Sequence, residues 1–149
     1  MAQVGQAAPA IDLPDGNGER WQLSQMRGKV VVLLFYPGDE TPVCTKQLCS
    51  VRDHWEQYQE AGAEVVGINA DSVNKHRRFA ANHKLPLRLL SDANGDVIRA
   101  YEMNSFLGTK RGVVVIDKVG VIRYRRTVVP IFRPTDDEIL NAIRQAQLQ

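Results

Sequence analysis

The sequence predicts an α/β fold, on three observations. Val30-Val31-Val32-Leu33-Leu34-Phe35 is apolar without alternation, the pattern of a strand covered on both faces. Leu48, Val51, Trp55 and Tyr58 then recur at helical spacing, and Glu64 to Asn69 is a second largely apolar run. Strand, helix and strand in succession read as a βαβαβ alternation once residues 73–83 and 87–90 are added.

Each element has its own signal. Ile11-Asp12-Leu13 and Trp21-Gln22-Leu23 flank the turn-forming Pro14-Asp15-Gly16-Asn17-Gly18, which predicts a short N-terminal hairpin. Residues 24–28 read as one capped turn and 30–35 as the central strand. A single helix is predicted over 43–61, ended by Gly62, with a strand over 64–69 and a helix over 73–83. Pro86 precedes a short strand at 87–90, and a weaker helical pattern covers 94–101. Val113 to Ile116 is a strand, Asp117-Lys118-Val119-Gly120 a hairpin turn, and 121–128 the returning strand. Thr135 and Glu138 form a capping-box pair ahead of Ile139, Ala142, Ile143 and Ala146, so an amphipathic helix follows.

The whole-chain quantities bound the function. The 149 residues fit one domain, 1–149, and a formal net charge of +2 does not imply a nucleic-acid partner. The N-terminus lacks a basic region followed by an apolar one, and no run of about 18 apolar residues occurs. The expectation is a soluble cytoplasmic monomer without a membrane or nucleic-acid partner. Two cysteines are too few for a secreted disulfide scaffold, and a close pair in a reducing compartment is more often redox-active or metal-binding.

Those two cysteines are the most informative residues. Cys44 falls where the buried strand gives way to the helix, so the helix N-terminus favours its thiolate. An unperturbed cysteine is only about 3% thiolate at pH 7, and a helix terminus shifts the balance by about one pKa unit. A nearby cation supplies the remainder, and arginine stays charged while a thiol titrates. Arg52, Arg88, Arg111 and Arg123 are all candidates; Arg111 stands immediately before an apolar strand, where strand ends converge. Thr41 and Pro42 have two readings: a helix cap with proline in the first turn, or a hydroxyl that faces the thiol's pocket.

Cys44 and Cys49 are five residues apart, about 140° of rotation and about 7.5 Å of rise on a helix, so they join only if its first turns unwind. The same spacing prevents Cys44, Cys49 and His54 from sharing a metal ion on a straight helix. Two inert buried cysteines are the plainer alternative.

With Pro37, Thr41 and Cys44 in the spacing P-x-x-x-T-x-x-C, the stretch from Phe35 to Gln47 resembles the peroxiredoxin active-site signature. Its continuation Cys44-Thr45-Lys46-Gln47-Leu48-Cys49 resembles the branch called peroxiredoxin Q or bacterioferritin comigratory protein. Similarity extends through Gly62 to Ile68, Lys84-Leu85-Pro86, Leu89 to Asp92 and Arg111 before Val113 to Asp117. The resemblance implies a thioredoxin-like fold, a mixed sheet flanked by helices with an added N-terminal hairpin. It implies Cys44 as peroxidatic and Cys49 as resolving cysteine, with Pro37, Thr41 and Arg111 as residues that shield, bond and polarise. It further implies peroxide substrates, an intramolecular disulfide, thioredoxin or a similar dithiol protein as reductant, and no metal, haem or flavin cofactor. The chain lacks Gly-Gly-Leu-Gly and a C-terminal Tyr-Phe helix, which implies relative resistance to overoxidation. Gln47 stands where many bacterial members have Glu.

The alternatives are a thioredoxin-type disulfide exchanger, for which Cys-x-x-Cys is absent, and a metal-carrying module, for which a third ligand is absent. Arg123-Tyr124-Arg125-Arg126 reads as a solvated strand edge. His76 and His83 share a helix without a third ligand, and Trp21 and Trp55 read as packing.

Overall fold

The computed structural model describes residues 2–106, 108–128 and 133–148. In chain order they form β1 (Asp12–Pro14), β2 (Arg20–Gln22), β3 (Val30–Phe35), α1 (Pro42–Asp53), α2 (Trp55–Glu60), β4 (Ala63–Asn69) and α3 (Val73–His83). Then follow β5 (Arg88–Ser91), α4 (Asp96–Ala100), β6 (Asn104–Ser105), β7 (Gly108–Thr109), β8 (Arg111–Ile116), β9 (Ile122–Val128) and α5 (Asp136–Gln147). The main sheet runs β5-β4-β3-β8-β9, parallel across β5-β4-β3 and antiparallel across β3-β8-β9.

Strand β3 occupies the middle and every one of its residues is buried. Its side chains alternate between two apolar layers. Val30, Val32 and Leu34 join Leu48, Val51, Tyr58, Phe79, Ile139 and Ile143 on the face covered by α1, α2, α3 and α5. Val31, Leu33 and Phe35 join Trp21, Ile98, Tyr101 and Met103 on the face covered by the hairpin and α4. Two covered faces explain the absence of alternation in the sequence.

The hairpin pairs Leu13 with Trp21 across the predicted turn, and the segment 24–28 contains the end of a 3₁₀ turn, Leu23–Met26. Three details differ from expectation. The helix predicted over 43–61 is two helices, broken at His54, whose backbone leaves the helical region (φ −110°, ψ 18°). Its amide is shared between the carbonyls of Ser50 and Val51, and its ring Nδ1 lies 2.8 Å from the Ser50 carbonyl, so side chain and backbone compete within one turn. The capping box is half made: Thr135 accepts the Glu138 amide, whereas the Glu138 carboxylate turns to Tyr124 and Arg126. The β6–β7 hairpin was not predicted, since two-residue polar strands are too short to show a period.

Arg123 to Arg126 lies on β9, the last strand in the sheet order, with alternating attachments. Arg123 bonds Asp117 and Arg125 the carbonyls of Tyr101 and Glu102, while Tyr124 and Arg126 reach Glu138. Among the described residues no helix is long and apolar enough to cross a membrane.

Candidate active site

The site forms where β3 hands over to α1, in the loop from Tyr36 to Thr41. A buried carboxylate fixes this loop. Asp39 accepts hydrogen bonds from the Tyr36 hydroxyl (2.7 Å) and Asn69 Nδ2 (3.2 Å), and His76 Nδ1 lies 2.6 Å from its other oxygen. The Asp39 amide donates to Asp71 Oδ2 at 2.7 Å. His76 Nε2 stands 3.1 Å from the Leu90 carbonyl, so both ring nitrogens of this fully buried residue face oxygen acceptors. Burial, reinforced by the Asp39 carboxylate and then by Asp71 and Cys44, pushes the Tyr36 hydroxyl well above its ordinary range and keeps it a donor.

Glu40 follows in the left-handed region (φ 65°), a conformation that costs a non-glycine residue free energy. Its carboxylate accepts from Asn82 Nδ2 (2.9 Å) and lies 2.8 Å from His83 Nε2, contacts that hold it there and lower its carboxyl below the usual range.

Thr41 is the residue before the first helical turn and Pro42 the first helical residue, but the Thr41 side chain makes no capping bond. Its hydroxyl donates to the Gly38 carbonyl at 3.0 Å. The first ladder bond runs from the Thr45 amide to the Thr41 carbonyl, and Pro42 has no N–H. The amides of Val43 and Cys44 therefore precede the ladder, with the positive end of the helix behind them.

Cys44 is fully buried in the α-helical layer of the core. Arg111, at the first position of β8 and 4% exposed, donates from Nη2 to Cys44 Sγ at 3.2 Å and from Nη1 to Gln47 Oε1 at 2.7 Å. Next to it, Gly112 lets the strand pass close to its surroundings. A Cβ there would meet Met103 Sδ at 2.8 Å and the Arg126 carbonyl at 2.9 Å, so only glycine fits. Gln47 Nε2 is buried with no hydrogen-bond partner among the described residues.

The remaining candidates lie as follows. Cys49 is half-buried on the same helix as Cys44, and both thiols are free. Pro37 is exposed between buried Tyr36 and Gly38. Arg52 bonds Asp53 and the His83 carbonyl, Arg88 bonds Asp15, and Arg123 bonds Asp117. Of the four arginines considered, Arg111 is the one hydrogen-bonded to Cys44. His54 lies beside Asp136 rather than the thiols, and among the described residues no three His, Cys, Asp or Glu side chains are grouped to hold a metal ion.

Sequence reasoning missed Asp39, Asn69, Asp71 and the connection of His76 to the loop. The available signal was His76 three residues before Phe79, on the apolar face of α3, where a histidine must be satisfied by the core.

Together these features define a class: a thioredoxin-like α/β protein with a buried cysteine at a helix N-terminus and an arginine against its sulfur. Residues 4–125 match the family model described as AhpC/TSA family. The chain belongs to that family, in the branch of peroxiredoxin Q and bcp proteins. It is 46% identical over 123 residues to a chloroplastic peroxiredoxin Q of Triticum aestivum, covering 80% of this chain and 57% of the relative. It is 41% identical over 128 residues to a putative peroxiredoxin bcp of Coxiella burnetii, covering 80% and 85% respectively. The peroxidoxin BcpB structure from Mycobacterium tuberculosis superposes with a TM-score of 0.87 at 30% identity, covering 99% of this chain and 98% of the other. The chain thus spans little more than half the length of the wheat relative.

Proposed function

We propose that the protein is a thiol peroxidase that reduces hydrogen peroxide and organic hydroperoxides, and so serves antioxidant defence and redox homeostasis. The observation that carries this reading is the Arg111 guanidinium 3.2 Å from the buried Cys44 sulfur. A permanent cation there favours the thiolate and remains to meet the charge that leaves it.

In the first step the Cys44 thiolate attacks one peroxide oxygen in line with the O–O bond. The departing oxygen takes the electron pair, and Arg111 with the Val43 and Cys44 amides opposes its developing charge. Cys44 becomes a sulfenic acid, and the departing oxygen takes back from solvent the proton that the thiol released and leaves as water or alcohol. Thr41, its hydroxyl hydrogen committed to Gly38, has lone pairs to accept a hydrogen bond from the peroxide O–H. Pro37 shields the pocket from water.

Cys49 then joins Cys44 in a disulfide, and thioredoxin or a similar dithiol protein reduces it by exchange. No metal, haem or flavin enters this cycle. The setting is a cytoplasmic monomer built as one domain over 1–149.

Peroxide consumption coupled to thioredoxin and its reductase tests the reading. Wild type turns over, Cys44→Ser does not, and Cys49→Ser consumes one equivalent and stalls as a sulfenic acid seen by mass. Turnover by Cys44→Ser at the wild-type rate overturns it.

A further inference from the structure

We infer that Asp136 sets where helix α1 stops unwinding and is thereby a positioning residue for the joining of Cys44 to Cys49. The inference rests on the peroxidase reading and adds to it a residue remote from the peroxide.

The polar attachments of α1 divide it between Cys49 and Ser50. Before that division, the side-chain bonds to the rest of the fold run from Arg111 to Cys44 and to Gln47. After it, α1 and α2 are strapped to their neighbours. Ser50 Oγ donates to Asp136 Oδ2, and the Tyr58 hydroxyl donates to Asp136 Oδ1 at 2.6 Å. His54 Nδ1 lies 3.3 Å from Asp136 Oδ2 and 2.8 Å from the Ser50 carbonyl. Arg52 Nη1 donates to the His83 carbonyl at 2.6 Å, and Gln147 Nε2 to the Ala61 carbonyl at 2.8 Å. Asp136 is 9% exposed in the first turn of α5 and Tyr58 is fully buried, so the Tyr58–Asp136 bond is shielded from water, while Ser50 and His54 lie at the partly exposed side of the strap.

The two halves answer oxidation differently. Conversion of Cys44 to a neutral sulfenic acid removes the anion that Arg111 attracts, which loosens the first half. The Asp136 strap does not involve sulfur and persists. Among the described residues, unwinding that begins at the N-terminus therefore passes Leu48, held by apolar packing alone, and meets its first side-chain hydrogen bond outside the Arg111 group at Ser50, one residue beyond Cys49.

Geometry makes that boundary useful. On an intact helix, Cα atoms five residues apart are separated by about 8–9 Å. A disulfide needs less than about 7 Å. With Ser50 held, Cys49 stays in place while the Cys44 segment moves to it, so one end of the chain searches rather than two. The Cys49 thiolate attacks the Cys44 sulfur, the S–S bond forms, the S–O bond breaks, and hydroxide leaves with the proton that Cys49 released. Without the strap, opening spreads beyond Ser50 into states in which Cys49 also wanders, and the sulfenic acid survives longer against a second peroxide.

Single-turnover kinetics of Asp136→Asn test this. The expected result is disulfide formation slower by about fivefold, the worth of one ordinary hydrogen bond, with unchanged sulfenic acid formation in a Cys49→Ser background. The sulfinic fraction at a given peroxide dose rises, and amide exchange over 50–54 in the reduced protein quickens. Ser50→Ala slows the disulfide step in the same way, and Ser50→Thr, which keeps the hydroxyl, restores it. Should Asp136→Asn fail to fold, Ser50→Ala and Tyr58→Phe each remove one strap bond and decide the matter. Disulfide formation that is unchanged or faster, or both steps slowed by one factor, overturns the inference. A wild type that oxidises Cys44 but never links it to Cys49 removes the inference and the resolving step of the cycle while leaving the peroxide step, whereas a wild type inert to peroxide removes the peroxidase reading as a whole.

Discussion

Arg111 Nη2 lies 3.2 Å from Cys44 Sγ, although the two residues stand 67 positions apart. The contact joins two neighbouring strand ends: β3 leads through its loop into α1, which carries Cys44, and its antiparallel neighbour β8 begins with Arg111. The second guanidinium bond, to Gln47 one helical turn beyond Cys44, prevents the cation from swinging away.

Arg111→Ala is expected to slow Cys44 alkylation by iodoacetamide at pH 7 by about tenfold or more, the worth of one hydrogen bond from a charged donor to the reacting sulfur. Arg111→Lys recovers part of the rate, because an ammonium keeps the charge but not the planar fork that grips Gln47 and sulfur together. Equal rates in wild type and Arg111→Ala would assign activation of the thiol to the helix terminus alone.

Thr41 separates its two readings by stability. Loss of a capping side chain costs about 1 kcal/mol, but the Thr41 hydroxyl bonds the Gly38 carbonyl and caps nothing. Thr41→Val is expected to leave the urea midpoint close to wild type while lowering the second-order rate with peroxide by about two decades, as loss of one positioned polar contact does. Thr41→Ser retains the rate. A Thr41→Val protein that is destabilised yet fully reactive would restore the capping role.

His76→Phe leaves the buried Asp39 carboxylate without the ring that lies 2.6 Å from it. The expected loss is about 1–3 kcal/mol, the usual cost of leaving a buried polar group without one of its hydrogen-bond partners. Asp39→Asn combined with His76→Phe costs less than His76→Phe alone, since no carboxylate is left unmatched. Denaturant unfolding of the three variants checks this, and a double variant weaker than His76→Phe contradicts it.

Asp117 shapes the acid limb of stability. Burial works to raise its carboxyl, but the amides of Val121 and Val119, each at 3.0 Å, and Arg123 Nε at 2.7 Å more than offset this and hold it below the usual range. A depressed carboxyl contributes stability above its unfolded-state value near 3.9, and the contribution is lost as pH falls through the folded value. Asp117→Asn is therefore expected to cost about 1–3 kcal/mol at pH 7 and progressively less below about pH 4. A deficit constant from pH 7 to pH 3 would show that charge plays no part.

Much of this molecule is written locally. The 73–83 helix carries its own cap in Ser72 and its own stop in Lys84, which takes the left-handed conformation, and the sequence range coincides with α3. Strand β3 is legible because two covered faces demand an unbroken apolar run. The helix after it was legible as an apolar stripe but not as two pieces, since the break at His54 comes from its ring and amide both turning to the Ser50 carbonyl, which apolar spacing does not record.

The candidate site divides the same way. The thiols, the proline and the threonine could be marked from one short stretch, because a strand, a tight loop and a helix N-terminus are consecutive in the chain. Arg52, Arg88, Arg111 and Arg123 could not be ranked by spacing, nor could Asp39 be joined to His76 or Asp136 to Ser50. Sequence by itself determined the periodicities, caps and turns, which arise from forces between near neighbours. Only the tertiary structure decided which distant charges share a buried space, because the sheet order that brings them together is set by burial of the whole core rather than by any one segment.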